Sequence, residues 1–338
     1  MECDPSNFLS KIIERHFHDS LYDFLNENNL IYSRPLGFRR KHSTETQLET
    51  AFIKIIGGLL FNLDKDRVSG MVLVDHRKAF DMVDHELLLR KLKAYGVANQ
   101  ELNWCRSCLC SRKQVVDHVR GNESGEVMLK HGVPQGSIIG PLFFILFIND
   151  LPLHISADVD LYADDTTVTA AADVKNMAHL DLSLNKSVKE IQAWASANKL
   201  PINEDKTKVL TITRKRLNSK LNCKVSVRGD SDNTLCNAES AASLGLEVDS
   251  KLPFNAHVDK ICKKLASRNA VLRKISAFLP LSRRVKYYNA VIRPVIRGTQ
   301  QRQFSENICS EDDLRSRIFG TFVVKFLACL PLLGFSNI

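Results

Sequence analysis

Apolar positions recur at helical spacing near the start of the chain. Ile12, Ile13, Phe17, Leu21, Phe24 and Leu25 fall three and four apart, which predicts a helix over 7–30 that Asn28 and Asn29 end. A basic loop follows from Arg34 to His42, with Pro35 and Gly37, and Ser43-Thr44-Glu45 opens a second helix to about Leu60. After Gly70 the pattern changes. Met71-Val72-Leu73-Val74 is a short apolar run that ends at Asp75 and predicts a strand. Helices are expected over 84–94, with Leu87, Leu88 and Leu92 inward, and over 99–110. Gln114-Val115-Val116 and Glu126-Val127-Met128-Leu129 predict strands around a turn at Gly121–Gly125. A loop at Gly132–Gly136 leads into an apolar helix that runs up to Asn149. Val159–Ala163 and Thr166–Ala170 predict a hairpin with Asp164 and Asp165 at its tip. A helix over 176–197, strands at Leu210–Thr213 and Leu244–Val248, and a basic helical stretch over 255–297 complete the pattern. There is no internal repeat and no low-complexity linker.

The chain has 338 residues, enough for two or three packed units. With 44% hydrophobic and 25% charged residues, the composition is globular and excludes a disordered chain. Lys and Arg exceed Asp and Glu by 47 to 38, and a net charge of +9 suits a polyanionic partner such as nucleic acid. The nine cysteines are scattered, and the opening MECDPSNFLSKIIERH lacks the apolar run of a secretory signal. A reducing compartment, nuclear or cytoplasmic, is expected. Cys105, Cys108 and Cys110 with His118 invite a zinc reading, but no second matched ligand pair completes it, and free thiols on a helix account for them better. The apolar run from Ile138 to Ile148 contains Pro and Gly and is too short to span a bilayer, and Phe322–Phe335 is interrupted by Lys325 and Pro331. No transmembrane segment is expected.

The carboxylates carry the chemistry. Asp75 ends a buried strand, and Asp164 and Asp165 sit together on a hairpin. Gathering such groups is costly unless positive charge offsets it. Divalent metal does so, and two ions can activate an attacking oxygen and stabilise a leaving one. Taken singly, a strand-end Asp or an Asp-Asp turn has an ordinary structural explanation.

The neighbouring residues change that. VLVDHRKAFDMVDHELLLRKL resembles the first palm motif of LINE-type (non-LTR) reverse transcriptases, especially the jockey-like kind. HGVPQGSIIGPLFFILFINDLP resembles their second motif and DLYADDTTV their third. KLPINEDKTKVL and LGLEVDSKLPFNAHVDKICKK resemble the fourth and fifth, and LYDFLNENNLIYSRPLGFRRKHSTETQL the preceding finger segment. The order is right over roughly residues 8–297.

The resemblance implies an α+β fold, the right-hand polymerase palm, an antiparallel sheet with helices. Partial fingers would occupy 1–69, the palm 70–253, a helical thumb-like region 254–297 and a divergent tail 298–338. It implies an RNA-directed DNA polymerase, a nucleotidyltransferase of a mobile element, that uses an RNA template, a DNA primer and deoxynucleoside triphosphates. Asp75, Asp164 and Asp165 would bind two Mg²⁺ (Mn²⁺ being the alternative). Lys206 matches the fourth-motif lysine, a proton donor to pyrophosphate, with Lys208 as the fallback. Phe80 matches the steric gate against a 2′-hydroxyl, its alternative being core packing. Gln135 and Gly136, after Pro134, match the loop against template base and nucleotide. Arg39, Arg40 and Lys41 would contact phosphates from the fingers. Lys260, Lys263, Lys264 and Arg268, with Arg273 and Lys274, would track the duplex backbone or form a solvated face. Asp81 and Asp84 are read as helix-start residues.

Three departures bear on activity. The sequence is expected to be N-terminally truncated, without the earlier finger strand and the upstream endonuclease. His76 and Arg77 replace the usual small or apolar pair after Asp75, and positive charge there would oppose metal. The pattern dissolves after about Arg297, as a frameshift or splice artefact would produce. The alternative is therefore an inactive relic that binds nucleic acid without turnover.

Overall fold

The computed structural model describes residues 8–32, 44–110, 112–114, 117–118, 122–123, 125–214, 221–226, 235, 237–243, 246–250, 252 and 255–295. The chain opens with α1 (Phe8–Glu27) and α2 (Thr44–Asp64). β1 (Arg67–Val74), α3 (His85–Ala94) and α4 (Asn99–Leu109) follow. Four short strands form two small ladders: β2 (Lys113–Gln114) pairs with β5 (Val127–Met128), and β3 (Asp117–His118) with β4 (Asn122–Glu123). Then come α5 (Gly140–Ile148), β6 (Asp158–Tyr162), β7 (Asp165–Asp173), α6 (Met177–Ala197) and β8 (Lys208–Ile212). β9 (Ser240–Ser243) and β10 (Leu246–Asp249) pair with each other. α7 (Asn255–Ser276) and α8 (Leu281–Tyr287) end in a π-helical turn at Tyr288–Ile292.

The main sheet has the order β6-β7-β1-β8, with every pair antiparallel. β1 lies inside it, buried on both faces, and its side chains alternate between two cores. Val68, Val72 and Val74 join the larger core with Leu184 of α6 and Phe143, Phe144 and Phe147 of α5. Met71 turns to the other face, where Ile55, Ile56 and Leu59 of α2 meet Leu210 and Ile212 of β8. α5 reads GPLFFILFI, apolar all round, and it is buried all round. Burial of each of its Phe side chains contributes about 1.5–3 kcal/mol. A third, small core of Ile261, Leu265 and Ile292 joins α7 to the π-helical turn.

This is the α+β architecture, antiparallel sheet with helices, that the motifs imply. Four local expectations need correction. β1 starts at Arg67 rather than Met71, so Gly70 lies within the strand instead of punctuating it. A Cβ on Gly70 would stand 2.4 Å from Leu184 Cδ1 and 3.0 Å from Cys223 Sγ, so glycine is there for close packing against α6. β9 was not anticipated, because its small residues carry no apolar alternation. The β6–β7 turn is Ala163-Asp164, and Asp165 already pairs with Tyr162. The stretch expected over 255–297 is, as far as residue 295, two helices with Pro280 between them, which has no N–H to continue the first. Among the described residues no helix is long and apolar enough to cross a membrane.

Candidate active site

Three chain segments meet at one end of the main sheet. The last pair between β1 and β7 is Val74 with Thr166, and the next step of that register sets Asp75 across from Asp165. Asp164 lies in the two-residue turn between β6 and β7. Its neighbour Ala163 is left-handed, at φ 53°, which costs a residue with a Cβ roughly 1–2 kcal/mol. The two paired strands hold it there.

Residues 201–207 fold back along the chain just after β1. Asn203 N donates to Asp75 O at 2.7 Å, and Arg77 N donates to Pro201 O at 2.9 Å. Thr207 Oγ1 accepts from Asp75 N at 3.4 Å and donates to Asn203 O at 2.8 Å. The turn closed in this way carries Lys206, whose Nζ is 4.0 Å from Asp75 Oδ2. Sequence reasoning did not identify Thr207, which ties the strand end to the lysine loop.

The electrostatics follow from this crowding. The Asp165 carboxyl is pushed up to about 6, first by loss of hydration and then by the negative charges of Asp164 and Asp75. These carboxylates lie in one another's field with too little positive charge to balance them. His76 behaves differently. It is buried, its ring meets Trp194 edge-on with centroids 6.5 Å apart, and burial pushes its pKa down to about 4 against the pull of Asp75. His76 is thus neutral at pH 7 and adds no positive charge beside the carboxylates, contrary to the expectation for that position. Among the described residues no group of three or more His, Cys, Asp or Glu side chains is drawn together closely enough to hold a metal ion.

Phe80 sits in a 3-10 turn, Ala79–Asp81, entered through left-handed Lys78 at φ 44°. Its ring stacks on Phe144 of α5, with centroids 4.2 Å apart and planes 23° apart. Core packing therefore fixes the ring whatever else it does. Gly136 adopts φ +84°, but a Cβ there would meet nothing within 4 Å. Its backbone conformation, and not crowding by the protein, calls for glycine. Gln135 Nε2 donates to Asp81 Oδ1 at 2.7 Å. Asp84 caps α3 by accepting from Leu87 N at 3.0 Å, as a helix-start residue should, and also pairs with Lys199 at 2.7 Å. Glu14, buried on α1, accepts from Ile138 N at 2.7 Å and steadies the segment between Gly136 and α5. Its partner is 124 residues away, so no local signal in the sequence marks it.

Residues 5–248 match the family model described as reverse transcriptase (RNA-dependent DNA polymerase). The chain belongs to that family. It is 29% identical over 279 residues to the probable RNA-directed DNA polymerase from transposon BS of Drosophila melanogaster, covering 78% of this chain and 29% of that protein. It is 27% identical over 300 residues to the RNA-directed DNA polymerase from mobile element jockey of the same species, covering 85% and 31%. These relatives agree with the LINE-type, jockey-like motifs. The chain spans about three tenths of their length. Among solved structures, telomerase from Candida albicans in complex with a TWJ fragment of telomeric RNA aligns at 14% identity and a TM-score of 0.47, covering 96% of this chain and 57% of that one.

The other expected contacts of this reverse transcriptase domain are dispersed. Arg39, Arg40 and Lys41 lie outside the described residues. Lys208 is exposed on β8, paired in register with Leu73. On α7, Lys260 pairs with Glu247 at 3.5 Å, and Lys263 and Lys264 are exposed. Arg268 donates to the Val291 carbonyl and so braces α7 against the π-helical turn. Cys105 and Cys108 are buried on the inner side of α4.

Proposed function

We propose that this domain is an RNA-directed DNA polymerase that adds deoxynucleotides to a primer 3′-hydroxyl on an RNA template. The observation that carries the reading is that the strand register brings Asp75, Asp164 and Asp165 to the same end of the main sheet, with Lys206 4.0 Å from Asp75 and Asp165 pushed up to about 6 partly by the other two carboxylates. An all-oxygen donor set under mutual repulsion suits divalent metal, and Mg²⁺ or Mn²⁺ shares such ligands with substrate phosphates. Asp75, Asp164 and Asp165 would hold two ions once their side chains close in from the wider spacing they have here. Bound there, the ions supply the positive charge that activates a primer hydroxyl and offsets charge on the leaving pyrophosphate.

The chain's own residues do the rest. Lys206 presents an ammonium beside Asp75, able to attract the triphosphate and to donate a proton to departing pyrophosphate. Phe80, braced by Phe144, would bar a 2′-hydroxyl. Gln135 and Gly136 would line the template and nucleotide. The fingers would precede β1, with Arg39 and Arg40 toward phosphates, and the palm would begin at Arg67, where β1 starts, instead of at residue 70, and run to 253. A thumb over 254–297 would bring Lys260, Lys263, Lys264 and Arg268 near the duplex.

Primer extension tests the reading. The purified chain and its Asp164→Ala variant receive a DNA primer on an RNA template, deoxynucleotides and Mg²⁺. Extension by the parent chain alone is the expected result. Template–primer binding without extension by either protein selects the inactive relic instead.

A further inference from the structure

Two loops border the proposed nucleotide position, and hydrogen bonds join them to each other. Val133 N donates to Phe80 O at 2.9 Å, and Gly132 N donates to Val83 O at 2.8 Å. The His85 ring bonds to Gly132 O at 2.8 Å. The Phe80 ring is fixed on Phe144. These contacts set the backbone of Asp81 against that of the 131–136 loop. From the two loops, exposed Asp81 and exposed Gln135 meet at 2.7 Å, Gln135 Nε2 donating to Asp81 Oδ1.

The chemistry of this pair fixes an orientation. An ionised carboxylate accepts hydrogen bonds and donates none. Only the NH₂ end of the Gln135 amide can face it, so the carbonyl Oε1 must point away. A free glutamine at an exposed loop would sample many rotamers and both amide faces, and freezing it on binding would weaken binding. We infer that Asp81 is a positioning residue for Gln135, holding its amide in advance so that Oε1 and the second N–H are presented to the incoming nucleotide and its template base. The inference rests on the polymerase reading above, and Asp81 acts only through Gln135. Asp84 caps α3, while Asp81 lies in the short 3-10 turn Ala79–Asp81 and does not cap α3.

Prior fixing of one such side chain is worth up to about tenfold in binding. Steady-state primer extension on the RNA template therefore compares the parent chain with D81A, D81N, Q135A and the double variant D81A/Q135A. D81A and Q135A should each raise KM for the deoxynucleotide about five- to tenfold, with kcat changed by less than about twofold. The double variant should be no worse than Q135A, because one interaction cannot be lost twice. D81N keeps an acceptor oxygen and should recover most of the loss. An unchanged KM in D81A, or losses that multiply in the double variant, overturns the inference. A second measurement needs no catalysis. The side-chain amide signals of Gln135, assigned by their loss in Q135A, should move in D81A and stay close to the parent positions in D81N. If they do not move in D81A, the pair is not held in solution and the inference falls. A parent chain that extends no primer overturns the polymerase reading, and the amide signals then decide the pairing alone.

Discussion

Asp165→Asn removes a charge that the fold resists. In the native chain the Asp165 carboxyl rises from 3.8 to about 6, through lost hydration and then through Asp164 and Asp75. At about 1.36 kcal/mol per pKa unit the full rise would correspond to about 3 kcal/mol against the charged form. Asp165 is solvent-exposed, and screening reduces that figure to on the order of 1 kcal/mol. The sign follows from proton binding. Between about pH 4 and pH 6 the folded chain holds a proton that the unfolded chain has released, so stability falls as pH rises through this window and then levels off. Asp165→Asn should be close to neutral near pH 4 and stabilising above pH 6, by about 2 °C in Tm for a change of ~1 kcal/mol. Thermal unfolding at pH 4.5 and 7.5, with chelator present, measures this. Mg²⁺ added at pH 7.5 should raise the Tm of the parent chain and raise that of Asp165→Asn less. Equal destabilisation by Asp165→Asn at both pH values would show that the side chain is a structural acceptor, and the argument from crowded charge would fail.

Other expectations follow from single contacts. Phe80→Ala should increase ribonucleotide incorporation relative to deoxynucleotide and should also lower Tm, since it removes the ring stacked at 4.2 Å on Phe144; an unchanged ribo-to-deoxy ratio with a lowered Tm would leave Phe80 as packing alone. Gly70→Ala should destabilise by about 1–3 kcal/mol in chemical denaturation, because its Cβ would stand 2.4 Å from Leu184 Cδ1 and 3.0 Å from Cys223 Sγ; a neutral result would mean that the Leu184 side chain swings clear at little cost. Lys206→Ala should slow extension more than it weakens template–primer binding, and equal losses in both would make Lys206 a simple phosphate contact. Template–primer affinity should fall steeply as salt rises, because Lys and Arg displace condensed counterions; a flat response would argue against a backbone-tracking thumb.

The parts of the fold that the sequence reveals are those whose burial is written locally. α5 is apolar at nearly every position and is buried on every side. β1 ends where its apolar run ends, and the β6–β7 hairpin brackets its acids. The parts that stay hidden depend on partners far away in the chain. Ser69 and Gly70 look like a strand boundary until Leu184 is seen against Gly70. β9 forms from small residues because β10 pairs with it. The pairing of 75–77 with 201–203, and that of Glu14 with Ile138, have no periodic signature at all.

The candidate site shows the same division for a physical reason. A strand ladder fixes a backbone best where it is fully paired, but a fully paired position inside this sheet is buried and would not accept an ionised side chain. One step past the last pair of β1 and β7, Asp75 still inherits the register while its carboxylate reaches Lys206 and water. Asp165 has the same compromise at the other strand, and the cost of it is written in the raised pKa. What the ladder cannot do is orient side chains on loops. Gln135 needs a second loop to hold it, and Asp81 is the residue that the fold brings there.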